Sequence, residues 1–295
     1  MLSGLALNPA SCSGWTVAPP TICAPDLGSG TQREAMKLLL HRDLAQSLIW
    51  RELVVRYKRS VLGIAWALAE PIVVVSVYVA FFGGVLEAGR GMTNYALFTL
   101  LGLLPWLCLS STLEQASGTL LEHAPLMRKV YFPRELLVVA VVVSRFSTLG
   151  FGLALSAIVA ALPWTSRGAL ALERLWLLPL ATLSLAAITV GASLALASLQ
   201  VVLRDVQFLI RFGLRLGFYV CPIVYPLTRV PERYRALYEV NPLVGILFGF
   251  QGWADPAVPS PTAVAFASAA LCSLLMLVGG WWLFRQLEPT VSDLL

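Results

Sequence analysis

The chain has 295 residues, of which 58% are hydrophobic and 13% charged, roughly half the charged share of an ordinary soluble domain. Its net charge is +5, but the cations lie between apolar blocks and form no continuous basic face, which argues against nucleic acid as a partner. The five cysteines (Cys12, Cys23, Cys108, Cys221, Cys272) lack the paired spacing of a zinc or redox centre, and His41 and His123 stand apart from any ligand cluster, so no metal site is expected.

Residues 1–30 are rich in Ser, Gly and Pro, contain no Lys or Arg, and are expected to be a flexible tail without a cleavable signal pattern. Thr31 and Glu34 match a capping box, and Leu44, Ala45, Leu48, Ile49 and Leu53 recur on one helical face. Residues 31–60 therefore predict a cytoplasmic amphipathic helix lying in the membrane interface, apolar face down.

A membrane span needs about 20 largely apolar residues. Six blocks meet that need or come near it: 61–86, 95–113, 136–163, 175–203, 208–224 and 263–284, the fifth carrying Arg211 and Arg215. Residues 114–135 connect the second and third blocks, and Pro133 is placed to begin the third, since proline suits a first helical turn. Residues 222–261 hold two short apolar pieces broken by Pro222, Pro226, Pro231, Pro242, Pro256 and Pro259; neither piece is long enough to cross. They predict a re-entrant helical segment between spans five and six, with an outer surface loop as the plainer alternative. Residues 286–295 form a short C-terminal tail. The fold class expected is all-α integral membrane, with six transmembrane helices in a membrane domain over 61–285.

Cytoplasmic segments carry an excess of Lys and Arg. With the N terminus inside, that side holds Arg33, Lys37, Arg42, Arg51, Arg56, Lys58, Arg59, Arg128, Lys129, Arg134, Arg204, Arg211, Arg215 and Arg285. The other side holds only Arg90, Arg167, Arg174, Arg229, Arg233 and Arg235, with Arg145 inside the third span. Both termini are thus expected in the cytoplasm.

A charge within a span costs about 2.5–3.5 kcal/mol near the centre, so Glu70, Arg145, Arg211 and Arg215 need a reason to be there. Glu70 either neutralises Arg145 across the bundle or faces a cavity; Arg211 and Arg215 lie one turn apart. Trp66, Trp106, Trp164, Trp176, Trp281 and Trp282 suit interfacial belts. Tyr78, Phe81 and Phe82 in the first span, with Phe218, Tyr219 and Tyr225 in and just after the fifth, are candidates to line a channel instead. No GxxxxGK[ST] string and no Gly-x-Ser-x-Gly elbow occurs, so this chain is not expected to hydrolyse ATP or to be an enzyme.

Five strings then fall in a recognisable order. Arg56-Tyr57-Lys58-Arg59-Ser60-Val61-Leu62-Gly63 followed by Trp66 and Pro71, Leu126-Met127-Arg128-Lys129-Val130-Tyr131-Phe132-Pro133, Arg204-Asp205, Asn241-Pro242, and Phe284-Arg285-Gln286-Leu287-Glu288 together resemble the type-2 ABC exporter permeases that move O-antigen, capsule or teichoic acid. The resemblance runs from about Arg42 to Leu295, and the first 40 residues depart from it. It implies a homodimer in the bacterial inner membrane, two copies of a separate ATPase that binds ATP and Mg, no cofactor in this chain itself, and a lipid-linked glycan as cargo. It also implies that Leu126, Met127, Arg128, Lys129, Val130 and Tyr131 belong to the segment that couples to the ATPase. Arg56, Lys58 and Arg59 are the candidates for holding a phosphate head group, a role compatible with plain positive-inside anchoring. The alternatives are a related permease for a drug or small lipid, a polytopic glycosyltransferase, and a secondary transporter. A glycosyltransferase would usually show an acidic cluster on a loop at the membrane face, and a secondary transporter coupling-ion groups at mid-membrane; neither is evident here.

Overall fold

The computed structural model describes residues 46–54, 66–127, 133–162 and 170–294, and among these every regular element is helical. The elements are α1 (46–54), α2 (Trp66–Tyr78) running into a π-helical turn (Val79–Val85), α3 (Tyr95–Glu122), α4 (Ala124–Met127), α5 (Glu135–Ala161), α6 (Leu177–Val202), α7 (Val206–Val220), α8 (Glu232–Val240), α9 (Pro242–Gln251) and α10 (Ala263–Leu294). Thr31, Glu34, Leu44 and Ala45 lie outside the described residues, as do Trp164 and the side chains of Trp66 and Glu70, so the Glu70–Arg145 pairing is not addressed.

Four of the described helices are long and apolar enough to cross a membrane: Tyr95–Glu122, Glu135–Ala161, Leu177–Val202 and Ala263–Val291. They correspond to the second, third, fourth and sixth expected spans. α3 is apolar all round because it forms the centre, 78% of its most apolar stretch being buried, against 22% for α10 at the periphery. The exposed face of α10 carries Leu271, Leu274, Leu275, Met276, Val278, Trp281 and Trp282, an apolar surface suited to lipid and not to water.

The bounds differ from those expected where polarity and helicity part company. α3 continues nine residues past Leu113 to Glu122, because Ala116 and Leu120 prolong its buried seam even as Glu114, Gln115 and Ser117 lower the hydropathy. α5 starts at Glu135 rather than Pro133, whose carbonyl accepts from Leu136 N at 3.1 Å in the preceding turn. α7 stops at Val220, short of residue 224, because Cys221 takes the extended conformation that a following Pro222 favours. α10 remains helical through the segment expected as a tail.

α6 and α10 approach backbone to backbone. A Cβ on Gly280 would strike the Gly191 carbonyl, and one on Gly191 would strike the Met276 carbonyl, so only hydrogen fits at this crossing. α9 is ten residues long, about 15 Å, and is held among α3, α6 and α10 with Val244 to Gln251 buried. Asn241 caps it, its Oδ1 accepting from Leu243 N at 3.0 Å, while Pro242 occupies the first turn.

Packing also differs from expectation in two places. Leu48 is buried against Ala116, Leu120 and Val138, with Ile49 beside it, so this part of the amphipathic stripe meets protein rather than lipid, whereas Trp50 remains exposed. The prolonged seam of α3 supplies that surface. Trp106, expected in an interfacial belt, is buried at the centre. It follows Pro105 in the middle of α3 and packs on Phe218, ring centroids 6.0 Å apart.

Candidate functional site

α7 positions one wall of the site by its period. Arg211, Leu214, Arg215 and Phe218 recur at intervals of three and four and so share one face, while Leu209, Phe212, Leu216 and Val220 form an exposed apolar face turned away from it. The first face borders an open groove of about 470 Å³, completed by Tyr78 from α2 and by Trp106, Ser110 and Glu114 from α3, with Tyr219 also lining it.

On the opposing side Tyr78 is the last residue of α2, and the π-helical turn follows it directly. Its hydrogen bonds step back five or six residues at its end, Leu86 N to Phe81 O at 3.1 Å and Ala88 N to Phe82 O at 2.7 Å. Such turns insert an extra residue and re-aim side chains, and they are frequent at functional sites. Gly83 permits this one, because Tyr95 packs where its Cβ would be, 2.8 Å from Tyr95 Cε1. The chain then turns through Glu87 at φ 48°, a left-handed conformation unusual for a side-chain-bearing residue.

The result is a connected series of rings. Tyr78 stacks on Phe82 at 5.7 Å and tilts against Phe218 at 5.4 Å; Phe81 meets Phe82 edge-on at 5.4 Å, and Phe218 meets Tyr219 at 5.5 Å. Phe81 and Tyr219 are 52% and 66% exposed, so the series offers ring surface as well as internal packing. Five of the six aromatic residues singled out in the sequence are thus neighbours. Tyr225 lies apart, in a small pocket with Phe98, Pro222 and Phe248. Its hydroxyl donates to Tyr219 O at 3.0 Å and lies 3.1 Å from the Tyr238 hydroxyl. Burial first, and Tyr238 second, push this phenol, which lies beyond the end of α7, well above its ordinary range, so it stays a neutral donor.

Directly beyond Glu114 on α3, polar groups join α1 to the core. Gln115 Nε2 donates to Glu52 at 3.0 Å, Arg145 Nε donates to Gln115 Oε1 at 2.9 Å, and His123 Nε2 lies 3.8 Å from Glu52. Arg145 also borders a cavity of about 140 Å³ with Pro71, Ser111 and Thr148. Arg285 pairs with Glu135 at 2.9 Å and with Glu288 at 3.3 Å, closing α10 onto α5.

Arg56, Lys58, Arg59, Arg128, Lys129, Val130 and Tyr131 lie outside the described residues, as does the Leu126 side chain; Met127 packs against the cluster around Leu120 and Leu137. Among the described residues, no group of three or more His, Cys, Asp or Glu comes together that could hold a metal ion.

Residues 43–252 match the sequence pattern of the family described as "ABC-2 type transporter". The chain belongs to the ABC-2 type transporter family. The O-antigen export system permease protein RfbA of Myxococcus xanthus is 29% identical over 221 residues, which cover 74% of this chain and 83% of that protein. A protein of the same name from Klebsiella pneumoniae is 26% identical over 254 residues, covering 86% of this chain and 95% of its own length. A second from that organism is 28% identical over 209 residues, 71% and 79% of the two chains. As an ABC-2 transporter chain this is a multi-pass membrane protein and a transport subunit.

Some residues that shape this ABC-2 chain were not legible as such in its sequence. Asp255 is buried and accepts from Thr93 N at 2.6 Å, Asn94 N at 3.1 Å and Ala257 N at 2.9 Å. Gln251 Nε2 donates to Ile223 O at 2.7 Å, and Arg174 donates to Val258 O at 2.8 Å and Gly252 O at 3.2 Å. The one available signal was an isolated Asp beside Trp253 in a Pro-rich loop, where a lone carboxylate often satisfies backbone donors.

Proposed function

We propose that this chain is the membrane-spanning subunit of an ATP-driven exporter that moves a lipid-linked polysaccharide across the bacterial inner membrane. The observation that carries the reading is the connected run of rings from Phe81 through Phe82, Tyr78 and Phe218 to Tyr219, of which Tyr78, Phe218 and Tyr219 line an open groove in an ABC-2 chain. Sugar rings present C–H faces that stack on aromatic surfaces without a fixed order of hydrogen bonds, so a polymer slides past while each contact is replaced by an equivalent one. The three relatives named as O-antigen export permeases point to the same class of cargo.

In this reading the groove is one half of a channel completed by a second copy of the chain. α2 with its π-turn and α7 act as the first and fifth of six spans, and α8 and α9 form the re-entrant pair on the outer side. Both termini are then cytoplasmic. Two copies of a partner ATPase supply the energy and bind ATP and Mg; the segment from Leu126 to Tyr131 meets them, and Arg56, Lys58 and Arg59 gather the phosphate head group. Tyr78, Phe81, Phe82, Phe218 and Tyr219, with Trp106 behind them, line the path, and Tyr225 holds the Tyr219 backbone from the outer side.

Deletion of the gene should abolish surface polymer and leave lipid-linked polymer inside the cell, measured by immunoblotting of surface and total glycan. Unchanged surface polymer would overturn the reading. At the level of residues, Tyr78→Ala and Phe218→Ala should each slow export about five- to tenfold, the loss of roughly 1 kcal/mol of ring contact. Phe151→Ala, exposed on α5 away from the groove, should not change export. Export unaltered by the first two would remove these rings from the path.

A further inference from the structure

The groove ends in a feature that its rings do not explain. Arg211 and Arg215 project from α7 into it one turn apart, facing Ser110 and Glu114 of α3. Among the described residues neither guanidinium forms an ion pair or hydrogen bond, nor does the Glu114 carboxylate. Arg215 lies about 14 Å along the helix from Val206, so it is no end-of-helix anchor that reaches the surface directly. The helical period places both arginines on the groove face and apolar residues on the other. Unpaired charge at such a position marks a path for charged cargo.

Arginines one turn apart on one helix face, their Cβ atoms about 5–6 Å apart, can both reach one phosphate or diphosphate, whose oxygens a guanidinium fork holds bidentately. The Ser110 hydroxyl donates to Leu107 O at a long 3.4 Å, and by rotating its one proton it can turn to an anion in the groove. Glu114 offsets one of the two positive charges, Arg145 lies across a neighbouring cavity that Ser110 and Glu114 also line, and the Glu114 carboxylate competes with a bound anion for the arginines, which favours release over retention. The rings of Trp106 and Phe218 directly adjoin this group, where the first sugars after a phosphate linkage would lie.

We propose that Arg211, Arg215 and Ser110 form a binding site for the phosphate or diphosphate head group of the lipid cargo at the end of the aromatic groove, with Glu114 tuning its release. The inference rests on the reading of the groove as a polymer path and adds a station for the head group within the bundle.

The test uses the purified complex of this chain with its ATPase in phosphatidylcholine nanodiscs, titrated with farnesyl diphosphate and followed by tryptophan emission. Saturable binding is expected, weakened about tenfold for each of Arg211→Gln and Arg215→Gln, by the loss of a charge-assisted hydrogen bond. Arg→Lys at both positions should restore part of it, and Glu114→Gln should tighten binding several-fold. Equal affinity in wild type and the double Arg→Gln variant, or no saturable binding, overturns the proposal. Inorganic pyrophosphate binding as tightly as farnesyl diphosphate would assign the site to the free anion, and loss of the signal in phosphatidylglycerol nanodiscs would assign it to phospholipid; either overturns the cargo assignment. Normal surface polymer in cells carrying the double variant sinks this inference alone, because the export reading falls only on the gene deletion.

Discussion

Asp255→Ala is expected to destabilise the protein by about 3 kcal/mol or more and to free the loop between the π-turn and α3, because a 2%-exposed carboxylate that satisfies three backbone donors is removed at once. Thr93 N and Asn94 N belong to that loop, whereas Ala257 N belongs to the α9–α10 connection. Asn94 Nδ2 reinforces the clasp by donating to Ala254 O at 3.1 Å. Asp255→Asn retains one acceptor oxygen and should cost about 1–2 kcal/mol. Thermal unfolding in detergent and protease nicking within residues 86–94 measure the two effects. A melting temperature unchanged by Asp255→Ala would show that the carboxylate does not hold the loop.

Gly280→Leu should be at least as severe, leaving little folded protein in the membrane. The new side chain would have to enter the Gly191 backbone, not a flexible side chain, so the helices must separate along their contact. Gly191→Leu meets the Met276 carbonyl and should behave alike. The discriminating comparison is Gly279→Ala, one residue away with open space around its Cβ, which should be neutral or slightly stabilising because alanine is the better helix former. Membrane-fraction yield and melting temperature report all three; equal yields for Gly279→Ala and Gly280→Leu would contradict the close crossing.

The long helices were legible because hydropathy and helicity coincide in them. α5 and α6 lie within a few residues of the blocks 136–163 and 175–203. They diverge at α3, whose last nine residues are polar on one side yet buried on the other, a pattern that an average over both faces conceals. The π-turn was illegible, since Val-Ala-Phe-Phe-Gly-Gly-Val is equally apolar as an α-helix and only its contact with Tyr95 distinguishes the two.

The candidate site divides in the same way. Tyr78, Phe81, Phe82, Phe218 and Tyr219 were legible as residue types, but their adjacency depends on α2 and α7 meeting across α3, which no local pattern encodes. Trp106 was misplaced because a tryptophan in an apolar run has the same composition at a belt and at a centre; Pro105 and the packed Phe218 decide the matter. Tyr225 follows α7 closely in sequence, yet Pro222 turns the chain so that only its hydroxyl reaches back.

α10 is one helix of 32 residues, about 48 Å, with Pro289 in its last turns, and it is fastened at its start and again at Arg285. At its start Glu239 of α8 accepts from Thr262 at 2.9 Å, and nine residues before its end Arg285 grips Glu135. With the Gly191–Gly280 crossing between them as a fulcrum, about 8 Å from Arg285 and about 27 Å from Thr262, the rod is a lever: a tilt of about 5° that moves Arg285 by about 0.7 Å moves the Thr262 end by about 2.4 Å. A nudge at the Glu135 end thus arrives beside α8 as a sideways stroke, with no unwinding of the helix that carries it.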